Sequence, residues 1–163
     1  MPLLLRAIRR NRWYTSDTVS WLPKGEIQAD PLGDLATSNN TLSVWQVEDD
    51  KSNLEQVIAA LAASRDTVSN LDYAVFDVDL LSSIGIKIEV NEGATPYEMA
   101  NRWHRDLVEL TATKLVRLAE AILIHSHRER VPEKKVLRLI KDAVQNGQID
   151  KTKLRPSITT KLS

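Results

Sequence analysis

Residues 86–90 alternate strictly, with Ile86, Ile88 and Val90 on one side and Lys87 and Glu89 on the other. That period of two predicts a half-buried strand. Leu3 to Ile8 is apolar but for Arg6, and Leu71 to Phe76 is rich in Tyr, Val and Phe. Both read as buried strands. Thr41 to Val47 points Leu42, Val44 and Gln46 one way and Ser43, Trp45 and Val47 the other. It is preceded by residues 32–37 and by Ser38-Asn39-Asn40. Asn tolerates left-handed backbone angles, so the two segments predict a hairpin.

The helical period appears next. Leu54, Val57, Ile58, Leu61 and Ala62 share a face behind Ser52-Asn53-Leu54-Glu55, which has the form of a capping box. Strand 42–47, helix 53–64 and strand 71–76 then predict a βαβ unit with parallel strands and a right-handed crossover. Asp77 is placed to cap a short helix over residues 78–83, stopped by Gly85. Thr95-Pro96-Tyr97-Glu98 is a second capping box, with Pro at the first helical position. Helix-compatible sequence follows to Arg130, a span of about 50 Å at 1.5 Å per residue. Thr111-Ala112-Thr113 is the expected place for a bend, and Val108, Ala112, Leu115, Ala119 and Ile122 stack at helical spacing. Pro132 opens a last helix with Val136, Leu137, Ile140, Ala143 and Val144 on one face. Lys134, Arg138 and Lys141 line the opposite face, and Asn146-Gly147 ends the helix. A short turn near residues 150–154 leads into a Ser/Thr/Lys tail.

The predicted fold is therefore α+β. An N-terminal mixed β-sheet with one βαβ unit packs against a C-terminal helical layer of two to three helices. Residues 1–150 form one domain, sheet-rich over 1–92 and helical over 93–150, and residues 151–163 form a basic tail. A length of 163 residues suits one domain with a substantial core. Residues 9–31 lack periodicity and hold Trp13, Tyr14 and Trp21, so they are expected to cover a sheet edge or carry function.

Charge sharpens this outline. Residues 1–15 carry four Arg and no acid; residues 16–92 carry 14 acids and four bases; residues 93–163 carry 14 bases and eight acids. The net charge is zero, yet the chain is split into an acidic front and a basic back. Such a split suits attraction within the fold, self-association or a charged partner. The acid-free start also has the composition of an organellar presequence, but its apolar run reads better as a first strand.

Composition removes several chemistries. There is no cysteine, hence no disulfide, thiolate metal site or cysteine nucleophile. This fits a reducing compartment, and the expected location is cytoplasmic. No apolar run approaches the roughly 20 residues needed to span a bilayer, so no membrane association is expected. The five glycines stand singly in turns, which leaves no phosphate-cradling loop. No cofactor is expected. His125 and His127 would face apart on a helix and cannot chelate together, so no metal site is expected from the histidines.

Three surfaces remain. Glu48, Asp49 and Asp50 follow one predicted strand, and Asp77 and Asp79 follow another parallel to it. Carboxylates at strand ends can hold magnesium for phosphoryl transfer or nuclease chemistry, though each acid also has a capping or turn role available. His104, beside Asp106, is a candidate general base or a satisfied packing residue. The stripe of Lys134, Arg138 and Lys141 suits an acidic protein surface or nucleic-acid phosphates, although no aromatic follows Trp103 to stack on bases. Trp13 and Trp21 are candidate interface anchors, or else lids on the core. The sequence thus favours a non-catalytic interaction or accessory protein acting through protein–protein contacts or self-association. The alternatives are a metal-dependent enzyme using Asp49, Asp77, Asp79 and His104, and a nucleic-acid binder using the basic helix.

Overall fold

The structure is a computed structural model and describes residues 2–14 and 19–163. Residues 15–18, including Thr15 and Ser16 of the Arg-rich start and part of the expected 9–31 loop, lie outside the described residues.

Among the described residues six strands form one sheet: β1 (Leu3–Ile8), β2 (Leu42–Val47), β3 (Leu71–Asp77), β4 (Lys87–Val90), β5 (His104–Val108) and β6 (His127–Val131). Their order is β4-β5-β2-β1-β3-β6, and every neighbouring pair is antiparallel. The chain is α+β, as its periodicity predicts. The βαβ reading needs one correction. β2 and β3 do point the same way, but each pairs with β1, which lies between them. Leu3 faces both Val47 and Asp77 across the sheet. The sheet is therefore antiparallel rather than mixed. β1 takes the middle because it is apolar at both parities and so suits a strand covered on both faces.

Helices cover both faces. On one face lie α2 (Leu54–Ala63), α5 (Glu133–Gln145) and α6 (Pro156–Leu162), packed over Leu5, Trp45, Val47, Leu71, Tyr73 and Val75. On the other lie α1 (Asp30–Gly33), α3 (Asp79–Ile84) and α4 (Ala112–His125), packed over Leu4, Ile8, Leu42, Val44, Phe76 and Leu107. Burial of these apolar side chains is the main stabilising term, at about 25 cal/mol per Å².

The long helix expected over residues 95–130 is not formed. Residues 98–103 make a 3₁₀ segment, 104–108 are β5, 112–125 are α4 and 127–131 are β6. Asn101 supplies the reason at the front. Its Oδ1 accepts from the Thr95 backbone N–H at 3.1 Å and the Thr95 hydroxyl at 2.6 Å, while its Nδ2 donates to the Thr95 carbonyl at 3.1 Å. That buried clamp folds the capping-box sequence into a closed turn. The Thr111 hydroxyl accepts from Lys114 N at 3.2 Å, so the expected bend is the N-cap of α4. The back half thus contributes two strands and covers both faces, rather than forming a separate helical layer.

Two smaller differences concern turns. Residues 32–37 form no strand; α1 occupies their start, with Pro31 in its first turn. Asn39 and Asn40 do adopt positive φ, 52° and 59°, closing the Ser38–Thr41 turn. Asn53 precedes α2, but its side chain accepts from Glu48 N and donates to the Gln46 carbonyl, tying helix to strand instead of capping. The expected tail is also structured. After a 3₁₀ turn at Lys151–Lys153, α6 buries Ile158, and Leu154 is buried beside it.

Candidate interaction surface on helix α5

Helix α5 begins after Pro132, where Glu133 N donates to Asn70 Oδ1 at 2.8 Å. Val136, Leu139, Ile140 and Ala143 are buried, largely against α2. With 3.6 residues per turn this turns Lys134, Arg138 and Lys141 outward together. Lys134 and Arg138 are exposed and Lys141 is half-buried. They line a shallow groove of about 630 Å³ whose apolar floor includes Pro132 and Leu137, with Asp142 at one side. Pro132 and Lys135 also line a second hollow of about 550 Å³, which reaches Tyr73, Glu129 and Arg130 on the sheet. The two hollows adjoin and follow α5 towards the β6 edge, which has a partner strand on one side only.

Most nearby bases are neutralised within the fold. Lys135 meets Glu55 at 3.4 Å, Arg155 meets Asp66 at 3.6 Å, Lys153 meets Glu98 at 2.5 Å and Lys161 meets Glu133 at 2.8 Å. Two of these pairs, Lys135–Glu55 and Arg155–Asp66, join the basic back to the acidic front. The charge split is thus partly answered internally. Among the described residues, no carboxylate lies within 4 Å of Lys134, Arg138 or Lys141. These three charges face solvent over an apolar floor.

The other candidates are placed differently. Glu48, Asp49 and Asp50 border a hollow with Pro2 and Ser52, and neither Asp77, Asp79 nor His104 lines it. Asp50 Oδ1 accepts from Ser52 N at 2.9 Å, and Asp77 Oδ1 accepts from Asp79 N at 3.0 Å, so both acids close turns. Among the described residues no three His, Asp or Glu side chains gather as a metal-ligating group. His104 Nδ1 lies 2.6 Å from the Asn91 carbonyl, and its ring packs edge-on to Trp45 at 5.2 Å. Its Nε2 lies 3.9 Å from Asp106 Oδ1, so the ring combines a packing contact with a neighbouring carboxylate. Tyr73 donates to Glu129 Oε2 at 2.9 Å, and burial together with that carboxylate raises its pKa, keeping the phenol protonated at neutral pH.

The two tryptophans separate. Trp13 is buried and donates its indole N–H to Asp34 Oδ2 at 2.7 Å, so it belongs to the core and not to an interface. Trp21 is 68% exposed.

An arginine-rich rim, unplaced by sequence reasoning, lies where β1 and β6 end. Asp72 there accepts from both Arg130 Nε at 2.7 Å and Arg130 Nη2 at 3.0 Å, and from Arg10 N at 3.1 Å. The hydrogen bond from Arg130 holds the Asp72 carboxyl below the ordinary carboxylate range. A lowered folded-state pKa means that Asp72 stabilises the fold above the unfolded value of about 3.9, and that this is lost as pH falls through the folded value. Asp72→Asn is therefore expected to be less stable than the parent at pH 7, with the gap closing below about pH 4. Urea midpoints recorded from pH 7 downward check this, and a gap independent of pH contradicts it. The only sequence signal for this rim is the run of four Arg before residue 15, because its remaining members come from distant segments.

No helix among the described residues is long and apolar enough to cross a membrane. Comparison with protein-family models, curated proteins and solved structures finds no match to this chain.

Proposed function

We propose that this chain is a non-catalytic cytoplasmic interaction protein that receives an acidic protein segment along α5. One observation carries the reading: Lys134, Arg138 and Lys141 stand unpaired over an apolar floor while bases around them are paired. Charge complementarity steers and orients such a partner, and aliphatic Lys and Arg stems with Leu137 give it apolar contact. The groove is open and elongated, which suits a peptide better than an enclosed metabolite.

The test is a fluorescence-anisotropy titration with a labelled peptide of alternating Glu and Leu, run beside a labelled DNA duplex. The peptide is expected to bind, and K134E/R138E/K141E is expected to weaken it about tenfold or more by reversing three charges. Circular dichroism confirms that the variant stays folded, since all three side chains point away from the core. Peptide binding unchanged in that variant contradicts the proposal. Tighter binding of the duplex, with a steep salt dependence, replaces it with nucleic-acid binding.

A further inference from the structure

Among the described residues at the rim where β1 ends, arginines outnumber carboxylates. Arg6, Arg9, Arg10, Arg12, Arg65, Arg128 and Arg130 gather around two acids, Asp34 and Asp72. Each acid is already engaged. Asp72 holds Arg130, as above. Asp34 Oδ2 accepts from Arg9 N at 2.9 Å and from the Trp13 indole at 2.7 Å, and its Oδ1 lies 3.7 Å from Arg12.

The remaining guanidiniums rest on backbone carbonyls, which fix their positions without cancelling their charge. Arg6 donates to the Asp34 carbonyl at 3.1 and 2.9 Å and to the Ser43 carbonyl at 2.8 Å. Arg65 donates to the Asn70 carbonyl at 3.1 Å, and Arg128 to the Ile122 and Leu123 carbonyls at 3.1 and 2.9 Å. Burial disfavours the charged form of all three, and Arg10 adds repulsion at Arg128. Asp34 offsets part of that cost at Arg6 and Asp72 part of it at Arg65, so each of these two carboxylates is shared between guanidiniums.

Between them is a cleft of about 200 Å³ lined by Arg6, Arg9, Gly33, Asp34 and Arg65. A guanidinium carries five N–H donors. Arg6 has three in use and two spare, while the exposed Arg9 side chain has no partner among the described residues. Three guanidiniums against one fully engaged carboxylate leave the cleft electropositive and rich in donors. We propose that this cleft binds a phosphate group, supplied either by inorganic phosphate or by a small phosphate monoester. Planar guanidinium forks match the oxygens of a phosphate, and charge-assisted hydrogen bonds are among the stronger polar contacts. The volume is below the roughly 300 Å³ of pockets that enclose a whole small molecule, so only the phosphoryl group sits inside. The site shares no lining residue with the α5 groove and stands independently of it.

The experiment is isothermal titration of the full chain with inorganic phosphate, ribose 5-phosphate and ribose at matched ionic strength. Saturable binding of a phosphate-bearing probe, with none of ribose, is expected. Tighter binding of ribose 5-phosphate identifies the monoester as ligand, and equal binding identifies free phosphate. R9Q/R65Q is expected to weaken binding at least about tenfold, each loss removing charge-assisted bonds. Arg9→Gln alone alters an exposed, unpartnered side chain, so it keeps the test decisive if the double variant unfolds; it too is expected to bind more weakly. K134E/R138E/K141E is expected to bind phosphate as the parent does. The proposal is overturned if neither phosphate probe binds saturably, or if Arg9→Gln binds like the parent.

Discussion

Asp34→Ala lowers the unfolding free energy by about 3–5 kcal/mol, the range for breaking a buried charged contact. Asp34 is buried, and three groups depend on it: the Arg9 N–H at 2.9 Å, the Trp13 indole N–H at 2.7 Å and the Arg12 guanidinium at 3.7 Å. Alanine strands the buried indole donor, which alone costs about 1–3 kcal/mol. It also removes the carboxylate nearest Arg6, whose charged form burial already disfavours. Asp34→Asn keeps one acceptor oxygen for Trp13 but no charge, and is expected to fall between parent and alanine. Urea unfolding at pH 7 reads both variants. Parent-like stability of Asp34→Ala would mean that the loop around Trp13 is not anchored through this residue.

Ile158→Ala is the second large effect, at about 3 kcal/mol for a fully buried aliphatic side chain replaced by a methyl group. Ile158 is 0% exposed and belongs to the same cluster as Val136, Ile140 and Leu154. Pro156 starts α6 with a preset φ, the Ser157 hydroxyl donates to the Asp66 carbonyl, and Lys161 donates to Glu133 Oε1 at 2.8 Å. The C-terminal segment therefore closes the core beneath α2 and α5. A change below about 0.5 kcal/mol, typical of exposed positions, would contradict that packing.

Local pattern made part of this fold legible. β2, α2, β3 and α5 follow from alternation or helical spacing that their own residues carry. The same holds for the basic stripe, since positions 134, 138 and 141 share a face on any helix through them. β5 and β6 were not legible. His104-Arg105-Asp106 and His127-Arg128-Glu129 have no strand propensity to speak of. They become strands because β2 and β3 offer edges to pair with, which is a tertiary fact. Asn101 acts in the same way at the front of the expected long helix, by reaching back to Thr95. Pattern also could not place β1 between β2 and β3, because alternation describes faces and not neighbours. Trp13 and Trp21 look alike in sequence; a single partner 21 residues away, Asp34, makes one a core residue and leaves the other exposed. The phosphate cleft was invisible for a related reason. Its arginines, glycine and aspartate come from β1, α1 and the end of α2, and no spacing rule joins them.

The central claim is that the unpaired face of α5 is the binding surface. It is tested most directly by titrating the ¹⁵N-labelled chain with the unlabelled Glu/Leu peptide and following backbone amide shifts. The account predicts saturable shifts concentrated over residues 132–145 and the adjoining part of β6. Shifts confined to the arginine rim at Arg9 and Arg65, or to the opposite sheet edge at β4, would contradict it.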